Sequence, residues 1–438
     1  MICPRSGRVF LTVAERDGYS RDAKENYGEG RAVTNEQRLR ILKNRGVEIV
    51  DRTTTYIAED VDPGRIEPGV RIHGGCRIAG KRTFIGKGTE IGREGPAVIE
   101  DCLIGCDVVL KGGSFRGSVF LDRSGLGPGA LVREACLLEE EANGAHAVGL
   151  KQTILFPFVT LGSLINFCDC LMAGGTSLRD HGEVGSSYVH FNYTPNQDKA
   201  TPSLMGDVPR GVMLDRRPVF LGGQGGLVGP ARVGFGSVIA AGVVCRADVG
   251  EDRLVSGAGK ASKEAPYSAG VYFQISRKVR NNISYLANLA ALRAWYAGVR
   301  SRFLHPALLQ GAIGALNEAM NERIFRLKEF AEKMPASVTG LECLKTARIR
   351  EVISQQKEFY AAWPRLEEYF GTLAAGDEPG GRSQDFLDRL APAAGRDYVG
   401  YIQSLDAETK HKGTAWLEAV VTRVEEGAMS FLLSFWGH

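Results

Sequence analysis

The chain has 438 residues, with 54 Lys and Arg against 51 Asp and Glu, 44% hydrophobic and 24% charged. That balance excludes a disordered chain, and a net charge of +3 gives no basis for nucleic acid or an acidic membrane as partner. The length allows two or three domains with buried cores. The 55 glycines, about 13% of the chain against a usual ~7%, fall mostly before residue 260 and set one domain apart.

The opening MICPRSGRVFLTVAERDGYS has no uninterrupted apolar run and no cleavage pattern, so no signal peptide is expected. Nine cysteines form no CxxC pair and no zinc-like spacing, which reads as reduced thiols in a cytoplasmic protein. TNEQRLRILKNRGVEI (34–49) predicts a short amphipathic helix closing an N-terminal segment, residues 1–50.

From there a six-residue period takes over. Ile66, Ile72 and Ile78 are six apart, as are Leu126, Val132 and Leu138, and then Leu221, Leu227, Val233, Ile239 and Cys245, most followed by a small residue. Neither an isolated helix nor a hairpin has that period. It fits a parallel β-helix with six residues per face and about eighteen per three-sided coil, the aliphatic residue inside the prism. ILFPFVTLGSLINFCDCLMAG (154–174) is the nearest thing to a membrane span, but Pro157, Asn166 and Asp169 interrupt it and it keeps the repeat, so it reads as core. At HFNYTPNQDK (190–199) the rhythm breaks, which predicts a protruding loop over about 191–218. After about Pro266 the glycines thin out. Ile283, Leu286, Leu289, Leu292, Trp295, Val299 and Phe303 then follow a three-to-four spacing. The expected organisation is a β-helix over 51–264 and an α-helical domain over 265–438, with a disordered connection at GDEPGGRS (376–383).

NEQRLRILKNRGVEIVDRTTTYI followed by hexads resembles the acetyltransferase half of the bacterial bifunctional glucosamine-1-phosphate acetyltransferase/GlcNAc-1-phosphate uridyltransferases, from about residue 34 to about 250. The resemblance implies a left-handed β-helix and a homotrimer with its sites between neighbouring prisms. It also implies acetyl-CoA as cosubstrate and an amino sugar phosphate or sugar nucleotide as acceptor. The family's glycine-rich uridyl-transfer signature is not found, and residues 1–33 are too short for that domain, so nucleotidyl transfer is not expected.

The same resemblance assigns roles. LGPGALVREACLL puts a sugar-phosphate arginine at Arg133, and LKQTIL a substrate lysine at Lys151. Eighteen residues separate them, one coil, so the two cations should stack, an arrangement that an anion between them would relieve. Asn192 and Tyr193 match the Asn-Tyr beside the acetyl group. Lys199 is expected near the coenzyme phosphate, Gly223 where the family has a serine near the thioester, and Ala241 along the pantetheine track. The family histidine has no direct counterpart. Counting twelve residues from Lys151 reaches Ser163, and aligning on LINF reaches Phe167. His181 and His190 are the histidines nearby, and His190, two residues before Asn192, is expected to be the substitute base. Two further classes stay open: a non-catalytic sugar-nucleotide binder or scaffold, and a γ-carbonic-anhydrase-like metalloenzyme. The latter would need zinc on His146, His181 and His190, whose spacings of 35 and 9 fit poorly, so no metal is expected.

Overall fold

The computed structural model describes residues 33–257, 267–344, 346–376, 383–392 and 395–435. The chain start and nearly all of the expected connection at 376–383 lie outside the described residues.

The six-residue period folds as read. The chain forms a left-handed parallel β-solenoid of about eleven turns followed by a helical region. One face is an eleven-stranded sheet from Glu48–Ile49 to Leu254–Val255. The other two faces form one sixteen-stranded sheet, because Gly149–Leu155 and Asn166–Met172 pass around their shared edge without breaking. Ile72, Ile78 and Ile66 each point inward on a different face and are fully buried. The register on the second face stacks Ile57, Ile78, Ile99, Phe115, Val132, Leu150 and Phe167 in one internal column. Non-glycine residues take left-handed backbone at the corners, for example Ala147, Leu164, Ser187 and Gln224, with φ of 57, 59, 62 and 54°.

The helices are α1 (Asn35–Asn44), α2 (Val208–Gly211), α3 (Ser276–Gly298), α4 (Pro306–Glu332), α5 (Met334–Leu341), α6 (Ala347–Ala375), α7 (Gln384–Arg389), α8 (Tyr398–Gln403) and α9 (Ala407–Met429). A Thr34–Gln37 capping box starts α1. Asn35 then hydrogen-bonds both Thr55 O and Ile57 N, and Arg38 bonds Ile57 O, so α1 closes the open edge of the first coil.

The third face decides the tertiary arrangement. Its outward row, Phe84, Leu103, Val119, Leu137, Ile154, Leu171 and Leu204, is at most 6% exposed, whereas Leu131 on the second face is 52% exposed and Leu254 on the first 68%. The helical region covers this row. At Gly311 of α4 a Cβ would lie 1.9 Å from the Leu103 side chain, so glycine sets how closely the helix approaches.

Buried ion pairs clamp both edges of that face. Arg323 of α4 reaches Asp169 at 2.9 Å on one edge, and Arg300 reaches both Glu140 oxygens at 2.7 and 3.0 Å on the other. Tyr296 donates to Glu139 at 2.5 Å beside them. Glu139, Glu140 and Arg300 are nearly solvent-free, and burial pushes the Glu139 carboxyl up to about 7 against the pull of Arg300.

Arg300→Ala should therefore cost about 3–5 kcal/mol in urea unfolding, because it strands Glu140 without a countercharge. Glu139 holds a proton in the fold that the unfolded chain releases, so stability should fall as pH rises from 4.5 to about 7. Glu139→Gln should flatten that slope and be the more stable protein at pH 8.

Candidate functional site

Arg133 and Lys151 stand one coil apart near the edge between the second and third faces: Arg133 N–H donates to Leu150 O, and Lys151 pairs in register with Cys168. Among the described residues neither forms an ion pair. Both act on the Cys168 thiol, whose pKa burial and Asp169 raise while the two cations oppose them. Asn192 reaches the same edge and donates to Asp169 at 3.3 Å. Four cationic or polar groups, Arg133, Lys151, Cys168 and Asn192, thus follow one edge, with Tyr193 57% exposed beside them. Glu318 of α4 lies within their field: burial and Glu134 raise its pKa, and Arg82 and Lys151 lower it.

The stretch from Asn192 onward does not stand free. Asp198 is 1% exposed, paired with Lys278 of α3 at 2.6 Å and accepting from Tyr272 at 3.1 Å. Asn282 donates to Ala200 O, and Lys333 to Asn196 O and Gln197 O. Ser203–Met205 then rejoins the third face beside Cys170–Met172. Lys199 is held by its carbonyl, which accepts from Arg323, on the same side as Arg133 rather than near Gly223 and Ala241.

His190 continues the internal column, between Phe167 and Leu227, and is 2% exposed. Its Nδ1 faces Cys168 O at 2.7 Å, and a carbonyl only accepts, so Nδ1 carries the proton. Nε2 must then accept from Ser203 Oγ at 2.7 Å, while Ser203 Oγ accepts from Ala231 N. Both ring nitrogens are occupied inside the prism, where the departing 192–202 stretch leaves Cys168 O without a strand partner. Burial lowers the His190 pKa to about 4, so it stays neutral. The expectation of a substrate-facing base at His190 meets a core residue with no free acceptor and no exposure.

His146, weighed in the sequence only as a zinc ligand, is an imidazole that the structure leaves at the surface. Its Nδ1 lies 3.0 Å from Ser163 Oγ, the position that counting twelve residues from Lys151 had reached. Backbone bonds order one corner column: Leu164 N to His146 O, Ser187 N to Ser163 O, Gln224 N to Ser186 O and Gly242 N to Gly223 O. His146, Ser163, Ser186, Gly223 and Ala241 therefore follow one edge, a coil apart. Four coil steps span about 19 Å at ~4.8 Å each. Gly223 is forced by packing, since a Cβ there would lie 2.9 Å from Ser186 O. A trough of about 470 Å³ opens at the His146 end, floored by Gly125, Gly127, Asn143 and Ala145. The only sequence signal for His146 was its place one coil before Ser163. Within one chain this edge and the Arg133 edge lie on opposite sides of the second face.

His181 lies elsewhere, bonded to Leu178 O, and among the described residues no group of three His, Cys, Asp or Glu could hold a metal. The eight described cysteines are free, and no described helix is long and apolar enough to cross a membrane.

Fold and edges define a hexapeptide-repeat parallel β-solenoid. Among curated proteins the chain is homologous to the bifunctional protein GlmU. It is 27% identical to that of Syntrophomonas wolfei over 245 residues, 55% of this chain and 48% of that protein. For the GlmU of Thermotoga maritima the figures are 29% over 223 residues, 49% and 44%, and for that of Bdellovibrio bacteriovorus 31% over 235 residues, 53% and 45%. The chain spans about half the length of the curated relatives it matches, consistent with their acetyltransferase half. No family model matches it.

His190→Leu should destabilise the fold by about 2–3 kcal/mol, since it strands Cys168 O and Ser203. The wild type should lose stability as pH falls from 6.5 towards 4, where the unfolded chain binds a proton that His190 refuses, and the variant should lose that part of the slope. Thermal melts across that range check both.

Proposed function

We propose that the chain is an acetyl-CoA-dependent N-acyltransferase whose acceptor is an amino sugar phosphate or sugar nucleotide. The observation that carries this reading is the corner column that ends on the His146–Ser163 contact. An extended pantetheine arm lies flat over Ala241 and Gly223, where side chains are absent or short, and its thioester reaches Ser163 three coil steps on, after about 14 Å. Arg133 and Lys151 hold the acceptor's phosphate, with Asn192 and Tyr193 beside its sugar. Opposite edges of one face meet when two prisms pack side by side, so the working unit is a homotrimer using the two uncovered faces. The β-helix carries the site and the helical domain holds it in shape.

His146 accepts the proton as the acceptor's amine nitrogen bonds to the acetyl carbonyl carbon. The carbon–sulfur bond breaks, and the thiolate leaves and is protonated to the free thiol. Ser163 orients the ring. His190 keeps a structural role beneath the site.

The test is thiol release from acetyl-CoA with an amino sugar phosphate, alongside acceptor binding by calorimetry. Arg133→Ala or Lys151→Ala should weaken acceptor binding by roughly 1.5–3 kcal/mol with the melting temperature unchanged. His146→Ala should keep binding and lose about 100-fold in turnover. Binding without turnover in the wild type would make the chain the non-catalytic binder, and equal affinity in all variants would end the phosphate assignment. Sedimentation at micromolar concentration should give a trimer, and a monomer would remove the shared site.

A further inference from the structure

The apolar row of the third face stops at its C-terminal end. In register after Leu204 comes Arg232, a charged, exposed residue where the earlier coils place Phe, Leu, Val or Ile. The helical layer cannot seal against it, and a cleft of about 400 Å³ opens between the last coils, α3 and α9. Two neighbouring cavities of about 290 and 300 Å³ share Arg232 as a wall.

The cleft is unusual in its charges. Arg232 and Arg280 line it together with Glu425 and Glu426. Among the described residues none of the four forms an ion pair, so both signs are present and stay apart. Ile283, Met429 and Phe435 supply an apolar lining. A second observation points into the same space. Ser284, which also lines the cleft, is 3% exposed and its hydroxyl has no hydrogen-bond partner; Arg280 Nε is buried and equally unpartnered. Buried polar atoms without partners are costly in a fold, and here they border an opening large enough for a small molecule.

We propose that this cleft is a binding site for a small zwitterion. Arg232 and Arg280 take its carboxylate or phosphate, Glu425 and Glu426 its ammonium group, and Ser284 adds a hydroxyl donor to the anion. Guanidinium groups match either anion through paired N–H donors. The site is separate from the two edges of the second face, and because α3, α9 and the last coils all contribute, its occupancy ties the helical layer to the solenoid's end.

Calorimetry on the full chain tests it with four probes: phosphoethanolamine, β-alanine, inorganic phosphate and ethanolamine. At least one zwitterion should bind saturably below ~10 mM and more tightly than phosphate or ethanolamine alone; phosphoethanolamine against β-alanine tells phosphate from carboxylate. Arg280→Ala should weaken that binding about tenfold or more, as should Glu425→Gln with Glu426→Gln. Arg232→Gln, at an exposed position, guards against a folding defect in the first variant. Arg133→Ala should bind the probe as wild type does, which separates this site from the proposed acceptor site. No saturable binding, or affinity unchanged in both Arg280→Ala and Arg232→Gln, overturns the proposal.

Discussion

Two buried guanidinium–carboxylate pairs, Arg323 with Asp169 and Arg300 with Glu140, fix one face of the prism under the helical region, one pair at each edge. Between them the apolar row from Phe84 to Leu204 supplies the burial. Charge pairs of this kind add less net stability than apolar contact does, but they are unforgiving of misplacement, because a slipped helix leaves a charge in a dry interior. The row drives association and the pairs set its register. The order along the rest of the molecule follows, including which two faces remain uncovered.

The same constraint shapes the candidate site. Arg323 bonds both Asp169 and the Lys199 carbonyl, so the α4 helix fixes the edge carrying Lys151, Cys168 and Asn192 and also the stretch leaving it. Lys278 and Tyr272 complete the anchoring at Asp198. A segment that looked, as sequence, like a loop reaching over an open groove is instead tied into its own chain's helical layer. His190 belongs to that arrangement: it fills the hydrogen bonds that the coil loses where the segment departs, and a neutral imidazole does this because it donates at one nitrogen and accepts at the other.

The sequence by itself determined the solenoid, because a six-residue period leaves one inward position per face and small residues at the corners, and no other regular structure accepts that text. It also determined that Arg133 and Lys151 would stack, since a coil of eighteen residues returns them to the same place. It held a signal that went unread: on every third hexad the inward residue is preceded by another apolar one, as in Phe84-Ile85, Leu103-Ile104, Val119-Phe120 and Leu137-Leu138, which marks a face with both sides buried. Tertiary structure alone decided the direction of His190 and the meeting of His146 with Ser163. In the first case a side chain two residues from Asn192 turned inward because the pleat alternates and the coil there lacked a partner. In the second, residues seventeen apart became neighbours only because a coil shorter by one residue set them edge to edge. Periodicity specifies which residues recur on a face; which of them touch depends on local coil length and on what covers the face, and neither is written in the repeat.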